Sequence, residues 1–330
     1  MHRNIAIKAN HEEPQETKAL LVDVTVLVPI SERHDDLEHL YEIYSTELIT
    51  LGKSFEFLFV IDGDFSKAHQ DLMKLQKQGK PVRIIKLPKN FGESNALMEG
   101  FRQSQGNTVL TLSSYIQVEP NELAKIFSAY EEDHELIITQ RYPRIDPLLN
   151  RIQSKVYHFL VRRLTGAPFQ DITCGLRLMD KNILSQINLY GDLHRFIPIF
   201  AYHSGISVKE VRVRQRREDT QLRLVRPGIY LRRILDILTI YFLVKFTKKP
   251  LRFFGLIGSS VFICGGVITS YLGVLRILGK TGLANRPLLL LGILLLVFGI
   301  HIFSVGLLGE LILFAHAKEI ENYRLDKIIE

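Results

Sequence analysis

Cysteine is scarce in this chain, with two residues in 330, Cys174 and Cys264. Neither has a partner at metal-ligand spacing, which argues against both a disulfide framework and a cysteine-based zinc site. There is no internal repeat and no low-complexity tract. The N-terminal segment MHRNIAIKANHEEPQETKALL has no apolar core of the kind a signal peptide carries, so the head is expected to stay in the cytoplasm. Charge is missing from two long stretches, 253–275 and 288–308, the second holding only His301. Each exceeds or matches the ~20 helical residues that cross a hydrocarbon core. A polar link at 276–287 carries Gly279, Gly282 and Asn285 as breakers, so the pair reads as a membrane hairpin. Two helices buried in a large soluble core are disfavoured by the length and the missing charge. Two crossings would return the C-terminal tail to the cytoplasmic side.

The chain has a net charge of +7. Its basic residues crowd into 209–233 and 245–252, just ahead of the first apolar stretch. That placement favours the cytoplasmic face and anionic lipid head groups over nucleic acid, whose only support is the charge itself. Arg276, Lys280 and Arg286 in the link keep the asymmetry modest.

Ahead of the hairpin, short runs rich in β-branched and aromatic residues (24–28, 55–61, 82–87, 108–112 and 136–139) alternate with segments of helical periodicity (37–51, 68–76, 94–104 and 121–131). This alternation predicts an α/β fold, a mostly parallel sheet with helices on both faces. Ligands of such sheets bind beyond the carboxyl ends of the strands, which points to 29–33, 62–66, 88–93 and 113–119. A long helix follows at 148–164, ended by Gly166, and then a polar loop at 170–175. Pro227 opens a segment, 228–246, with Arg232, Arg233 and Asp236 on one side and apolar residues on the other. It reads as an interfacial helix lying along the membrane, with an ordinary domain helix as the alternative.

The segments VTVLVPISE, FLFVIDGD, KNFGESNALMEGF, DITCGLRLMD and HRFIPIFAYHSGISVKEVRVR occur in that order. Together they resemble inverting family 2 glycosyltransferases of the GT-A (Rossmann-like) fold. The subgroup they look like is the polyprenyl-phosphate sugar transferases, similar to dolichol-phosphate mannosyltransferase and bactoprenol glucosyltransferase. The resemblance implies this organisation: a flexible N-terminus at 1–20, a GT-A domain at 21–226, an interfacial amphipathic helix at 227–250, two transmembrane helices within 251–315 (about 253–275 and 287–311), and a cytoplasmic tail at 316–330. It implies a UDP- or GDP-linked sugar donor, a polyprenyl phosphate acceptor, the membrane as partner, and a homo-oligomer or a partner membrane protein.

The site residues carried over are as follows. Pro29, Glu32, Asp62, Gly63, Lys89, Asn90, Gly92 and Gln117 would line the donor pocket, with Asp62 able to accept from the base or ribose or instead to cap the next helix. Gly92 would give a tight turn near the ligand or a plain strand-to-helix turn. Arg141, Arg177 and Arg195 would meet the diphosphate with fork geometry. Asp171 would serve as an acceptor-side carboxylate, or would fix its loop. Ser154, Arg151, Arg216, Arg217 and Arg223 would meet the acceptor phosphate, with simple attraction to lipid head groups as the alternative.

The family's Asp-x-Asp pair, which holds a divalent cation on the donor diphosphate, is degenerate here. Aligning on Gln117 and Pro120 puts Ser113 and Tyr115 at the two acidic positions. Hard cations take carboxylate oxygens; Gln117 or Glu119 could serve from shifted positions, but neither restores the pair. Mg²⁺ or Mn²⁺ is therefore disfavoured. The later His-x-Pro-Arg loop of the family has also lost its signature at 215–224 while staying basic. These departures leave open a second expectation, a catalytically degenerate membrane subunit that binds a partner protein or a lipid-linked sugar.

Overall fold

The computed structural model describes residues 22–132, 134–183, 187, 191–220, 227–246, 250–279 and 287–315. The expectations for 1–20 and 316–330, most of the link between the apolar helices, and the side chains of Arg223, Arg232 and Arg233 lie outside the described residues.

One seven-stranded sheet organises the head. Its strands are β1 (Val24–Ile30), β2 (Phe55–Asp62), β3 (Val82–Leu87), β4 (Thr108–Thr111), β5 (Leu136–Arg141), β6 (Arg177–Asp180) and β7 (Val208–Val213), in the order β3-β2-β1-β4-β6-β5-β7. All pairings are parallel except those of β6, which runs against both β4 and β5. β1 and β2 are fully or almost fully buried, VTVLVPI and FEFLFVID, as a central parallel strand covered on both faces requires. Helices α1 (Leu37–Thr50), α2 (Ser66–Lys77), α3 (Glu93–Gln103), α4 (Leu123–Glu131), α5 (Leu148–Thr165) and α6 (Ile197–His203) cover the two faces. One hydrophobic cluster joins α1, α2 and α4 to the sheet; the other joins α3, α5 and α6 to it and takes in Ile240 of α7 (Pro227–Phe246).

The expected strands and helices fall where the periodicity placed them, with small shifts at the ends. The differences have physical reasons. Strand β5 extends two residues past 139, which draws Arg141 into the sheet. Strand β6 is antiparallel, so its first residue, Arg177, lies at the same edge as the carboxyl ends of β4 and β5. Strand β7 is an edge strand whose alternating charges, Val-Lys-Glu-Val-Arg-Val, mask its apolar period. On α7, Asp236 does not join an outer polar side: its side chain is 15% exposed and Arg195 approaches it at 4.0 Å.

Two apolar helices, α8 (Pro250–Ile277) and α9 (Pro287–Ala315), form a candidate membrane hairpin. They touch backbone to backbone through glycine. A Cβ at Gly258 would lie 2.6 Å from the Phe303 amide, one at Gly265 2.7 Å from the Gly292 carbonyl, and one at Gly299 2.6 Å from the Phe262 amide. Gly292, Gly299 and Gly306 are the buried residues of α9, spaced every seven, so one stripe faces α8 throughout. The small residues 255, 258 and 265 are thus used within the hairpin. Glu310 accepts a hydrogen bond from the Leu251 amide at 3.4 Å, a carboxylate at the positive end of α8.

Candidate active site

The chain leaves β1 to one side, builds β2 and β3, and returns to β4 on the other side of β1. A crevice at such a switch point is where open α/β sheets take ligands. The loops after β1 and β4 meet there. Ser114 Oγ donates to the Arg33 carbonyl, and the Asp35 amide donates to the Ser114 carbonyl at 3.0 Å. Over this junction the Arg33 guanidinium stacks on the Tyr115 ring, 4.2 Å from its centroid. Arg33 is held by Asp35, through Nε at 2.9 Å and Nη2 at 2.5 Å, and its Nη2 also reaches the Glu218 carbonyl at 3.2 Å. Its side chain is 26% exposed.

The positions expected to hold a cation do not fit one. Ser113 is half-buried against Gly175, where an added Cβ would come within 2.3 Å of its hydroxyl. The Tyr115 hydroxyl accepts from Gln117 at 3.1 Å, and the Gln117 carbonyl oxygen accepts from the Gly175 amide at 2.8 Å. Glu119 points toward Arg216, 3.6 Å away. The two positions therefore offer neutral hydroxyls, one of them on a ring covered by a guanidinium, where a hard cation needs carboxylates. Among the described residues no group of three or more His, Cys, Asp or Glu side chains is gathered as a metal site.

At the floor of the crevice, Asp62 is fully buried and accepts from the Phe91 and Gly92 amides at 2.7 and 2.8 Å. Both carboxylate oxygens thus tie the loop before α3 to the end of β2, and the geometry is that of a loop clamp. Asn90 bridges from the same loop to the Ser31 carbonyl at 3.1 Å. Gly63 and Gly92 have φ of 111° and 94°, which only glycine adopts without strain. Pro29 is buried inside β1, whereas Glu32, Lys89 and Asn90 are exposed at the rim, with Lys89 Nζ 5.1 Å from the centre of the Phe91 ring.

Beside the crevice, at the ends of β5 and β7, lies a dense ion network. Arg141 grips Asp171 with two bonds, Nε at 2.8 Å and Nη2 at 3.0 Å, and binds Asp219 through Nη1 at 2.9 Å and Thr173 through Nη2 at 2.7 Å. Arg144 reaches Asp171 at 2.9 Å and also donates to Ser154 Oγ. Asp219 accepts from Gln215 at 2.6 Å and from Gln117 at 3.5 Å, coupling the network to the loop after β4. Burial alone would push the Asp171 carboxyl up, but Arg141, Arg144 and His158 overcome it and hold it well below the usual carboxylate range. His158, 3.5 Å from Asp171, is itself pushed down from its ordinary value by burial, against the pull of Asp171.

Arg177 is a third sealed cation. Its three nitrogens donate to the carbonyls of Cys174 (3.1 Å), His194 (2.8 Å) and Ile172 (2.9 Å). His194, on the 3₁₀ turn Leu193–Phe196, is pushed down to about 3 by burial, with Arg195 and Arg177 adding to the effect. The structure therefore gathers Arg141, Asp171, Gln117 and Ser154 through shared partners, and sets Arg195 apart, half-buried beside α7. Arg151 and Arg217 are exposed, and Arg216 is half-buried between Glu119 and Glu218. Sequence reasoning missed Arg33, Arg144 and Asp219. The Arg-x-x-Arg step at 141–144 and the acidic residue inside the basic loop at 215–224 were the available signals.

Comparison with known proteins places this arrangement. The family model described as "Glycosyl transferase family 2" matches residues 26–187, the segment that builds the crevice and most of the network. Dodecaprenyl-phosphate galacturonate synthase of Rhizobium johnstonii is 26% identical over 298 residues, covering 88% of each chain. Undecaprenyl-phosphate 4-deoxy-4-formamido-L-arabinose transferase of Salmonella typhimurium is 29% identical over 294 residues, again covering 88% of each. Among solved structures, glucosyl-3-phosphoglycerate synthase of Mycobacterium tuberculosis with Mn²⁺, uridine diphosphate and phosphoglyceric acid is similar with a TM-score of 0.51 at 14% identity, over 67% of this chain and 78% of that one. That likeness concerns the fold. Residues 26–187 thus carry a domain of the glycosyl transferase family 2 type.

Proposed function

We propose that this protein is a membrane-bound glycosyltransferase that moves a sugar from a nucleotide-sugar donor to a polyprenyl phosphate, with inversion at the anomeric carbon. The observation that carries the reading is the match over 88% of both chains to relatives named for that acceptor class, which cannot be confined to the head. The hairpin anchors the enzyme, with the head and both termini on the cytoplasmic face. The relatives are enzymes, so the reading as a degenerate subunit is not favoured.

In this reading a lipid phosphate oxygen attacks the anomeric carbon, forming the new C–O bond. The bond from that carbon to the donor β-phosphate oxygen breaks, and the nucleoside diphosphate leaves with the electron pair. A phosphate monoester, with its second pKa near ~6, is already largely ionised, so no strong general base is needed. Orientation and stabilisation of the leaving group dominate. Asp171, saturated by Arg141, Arg144 and Thr173, acts as a positioning residue that fixes the loops around the reacting centre. Ser154 on α5 and Arg144 in the loop before it, with exposed Arg151, form the acceptor side. The donor lies in the β1–β4 crevice over the loop clamped by Asp62.

The test is transfer of labelled sugar from UDP- and GDP-sugars to a short-chain polyprenyl phosphate by the purified, detergent-solubilised chain. A labelled lipid product is expected. No product from a full donor panel, while the Salmonella relative is active in parallel, would overturn the reading.

A further inference from the structure

Resting on that reading of the donor, we infer that Arg33, stacked on Tyr115, provides the positive charge on the donor diphosphate, so that nucleotide binding needs no divalent cation. Three observations on the crevice lead there. The two acidic positions are a serine packed on Gly175 and a tyrosine whose ring is covered by a guanidinium, so a hard cation finds a carboxylate at neither. Of the three arginines that sequence places near the diphosphate, Arg141 and Arg177 spend their donors on buried carboxylates and carbonyls, and Arg195 lies apart beside α7, 4.0 Å from Asp236. Arg33 differs from both: among the described residues its Nη1 has no hydrogen-bond partner, and its side chain is partly open to solvent.

The charge balance is consistent with this. Two carboxylates and a divalent cation present no net charge to a diphosphate. Ser113, Tyr115 and the Arg33–Asp35 pair also present none, yet they leave Nη1 of a partly exposed guanidinium without a hydrogen-bond partner among the described residues. A guanidinium offers parallel N–H donors matched to phosphate oxygens. The Tyr115 ring, Asp35 and the Glu218 carbonyl fix its plane before a ligand arrives, which reduces the ordering cost of binding. Tyr115 thus becomes the platform for a fixed cation at the place where the family holds a mobile one.

The experiment is equilibrium binding of UDP and GDP to the full chain in detergent, each with EDTA and with Mn²⁺ or Mg²⁺. Affinity for one of them is expected to agree within about twofold between the two conditions. Arg33→Ala is expected to weaken that nucleoside diphosphate roughly 10–100-fold, the range for a charge-assisted bond, and the corresponding monophosphate far less. Arg33→Lys, which keeps charge but loses the planar fork, should fall between. Binding that appears only with the cation overturns the proposal and leaves the glycosyltransferase reading standing. Cation-free binding that survives Arg33→Ala with unchanged affinity also overturns it. If neither diphosphate binds under any condition, the proposal and the donor reading fail together. The cation comparison on the unmodified chain requires no variant to fold.

Discussion

The crevice between β1 and β4 and the network at the ends of β5 and β7 lie side by side, and both are rich in arginine. They use it in opposite ways. In the network, Arg141 is 8% exposed and its side-chain bonds end on protein groups. In the crevice, Arg33 is braced by Asp35, the Glu218 carbonyl and the Tyr115 ring, and its Nη1 has no hydrogen-bond partner among the described residues. Arginine in two adjoining parts of one sheet edge is thus not one kind of residue. Where buried carboxylates saturate it, it is framework; where an aromatic ring supports it, it can meet a ligand.

The largest effect that would sharpen this contrast is expected for Asp171→Ala. It leaves two guanidinium groups, Arg141 and Arg144, without their shared counter-charge, and removing one partner of a buried ion pair costs about 3–5 kcal/mol. Thermal or denaturant unfolding of the head measures it, and a loss within ~0.5 kcal/mol would show the network to be loosely held. Arg177→Met is next, about 2–3 kcal/mol, because three buried carbonyls lose their donor.

Acidification acts through His194. Its folded value of about 3 is below the ordinary ~6.5, so the unfolded chain binds the extra proton between those values. Stability is therefore full above ~6.5 and declines as pH falls, by about 2 kcal/mol at pH ~5. His194→Gln should flatten that decline. Asp171 acts in the same direction at lower pH: its folded value is depressed, so its contribution persists above ~3.9 and is lost only below. The smallest stability effect belongs to Arg33→Ala, under about 1 kcal/mol for a half-exposed ion pair, although nucleotide affinity should drop sharply. A large loss of stability with unchanged affinity would erase the distinction between the two regions.

Much of this was legible in the sequence. The apolar runs of β1 and β2, the spacing of α1 to α4 and the hairpin follow from period and charge. The carboxyl-end rule then pointed to the loops that meet after β1 and β4. The direction of β6 was not legible, since four residues carry no mark of orientation, and β7 hid behind its edge charges. The arginines were found, but their partners were not. Arg141 meets Asp219 across 78 positions of chain, and sequence alone gives no warning that such a carboxylate is waiting. Tyr115 read as a lost ligand because its ring only gains meaning once Arg33 is seen above it.

The glycine stripe of the hairpin has a mechanical consequence. Helices of 28 and 29 residues are about 42–44 Å long at 1.5 Å per residue, against ~30 Å of hydrocarbon. Because backbone rests on backbone at Gly258, Gly265 and Gly299, the two rods lean as a single stiff mast. The surplus of roughly 12 Å is taken up by a shared lean or stands clear of the oil. Either way it sets the height at which the head is carried above the oil.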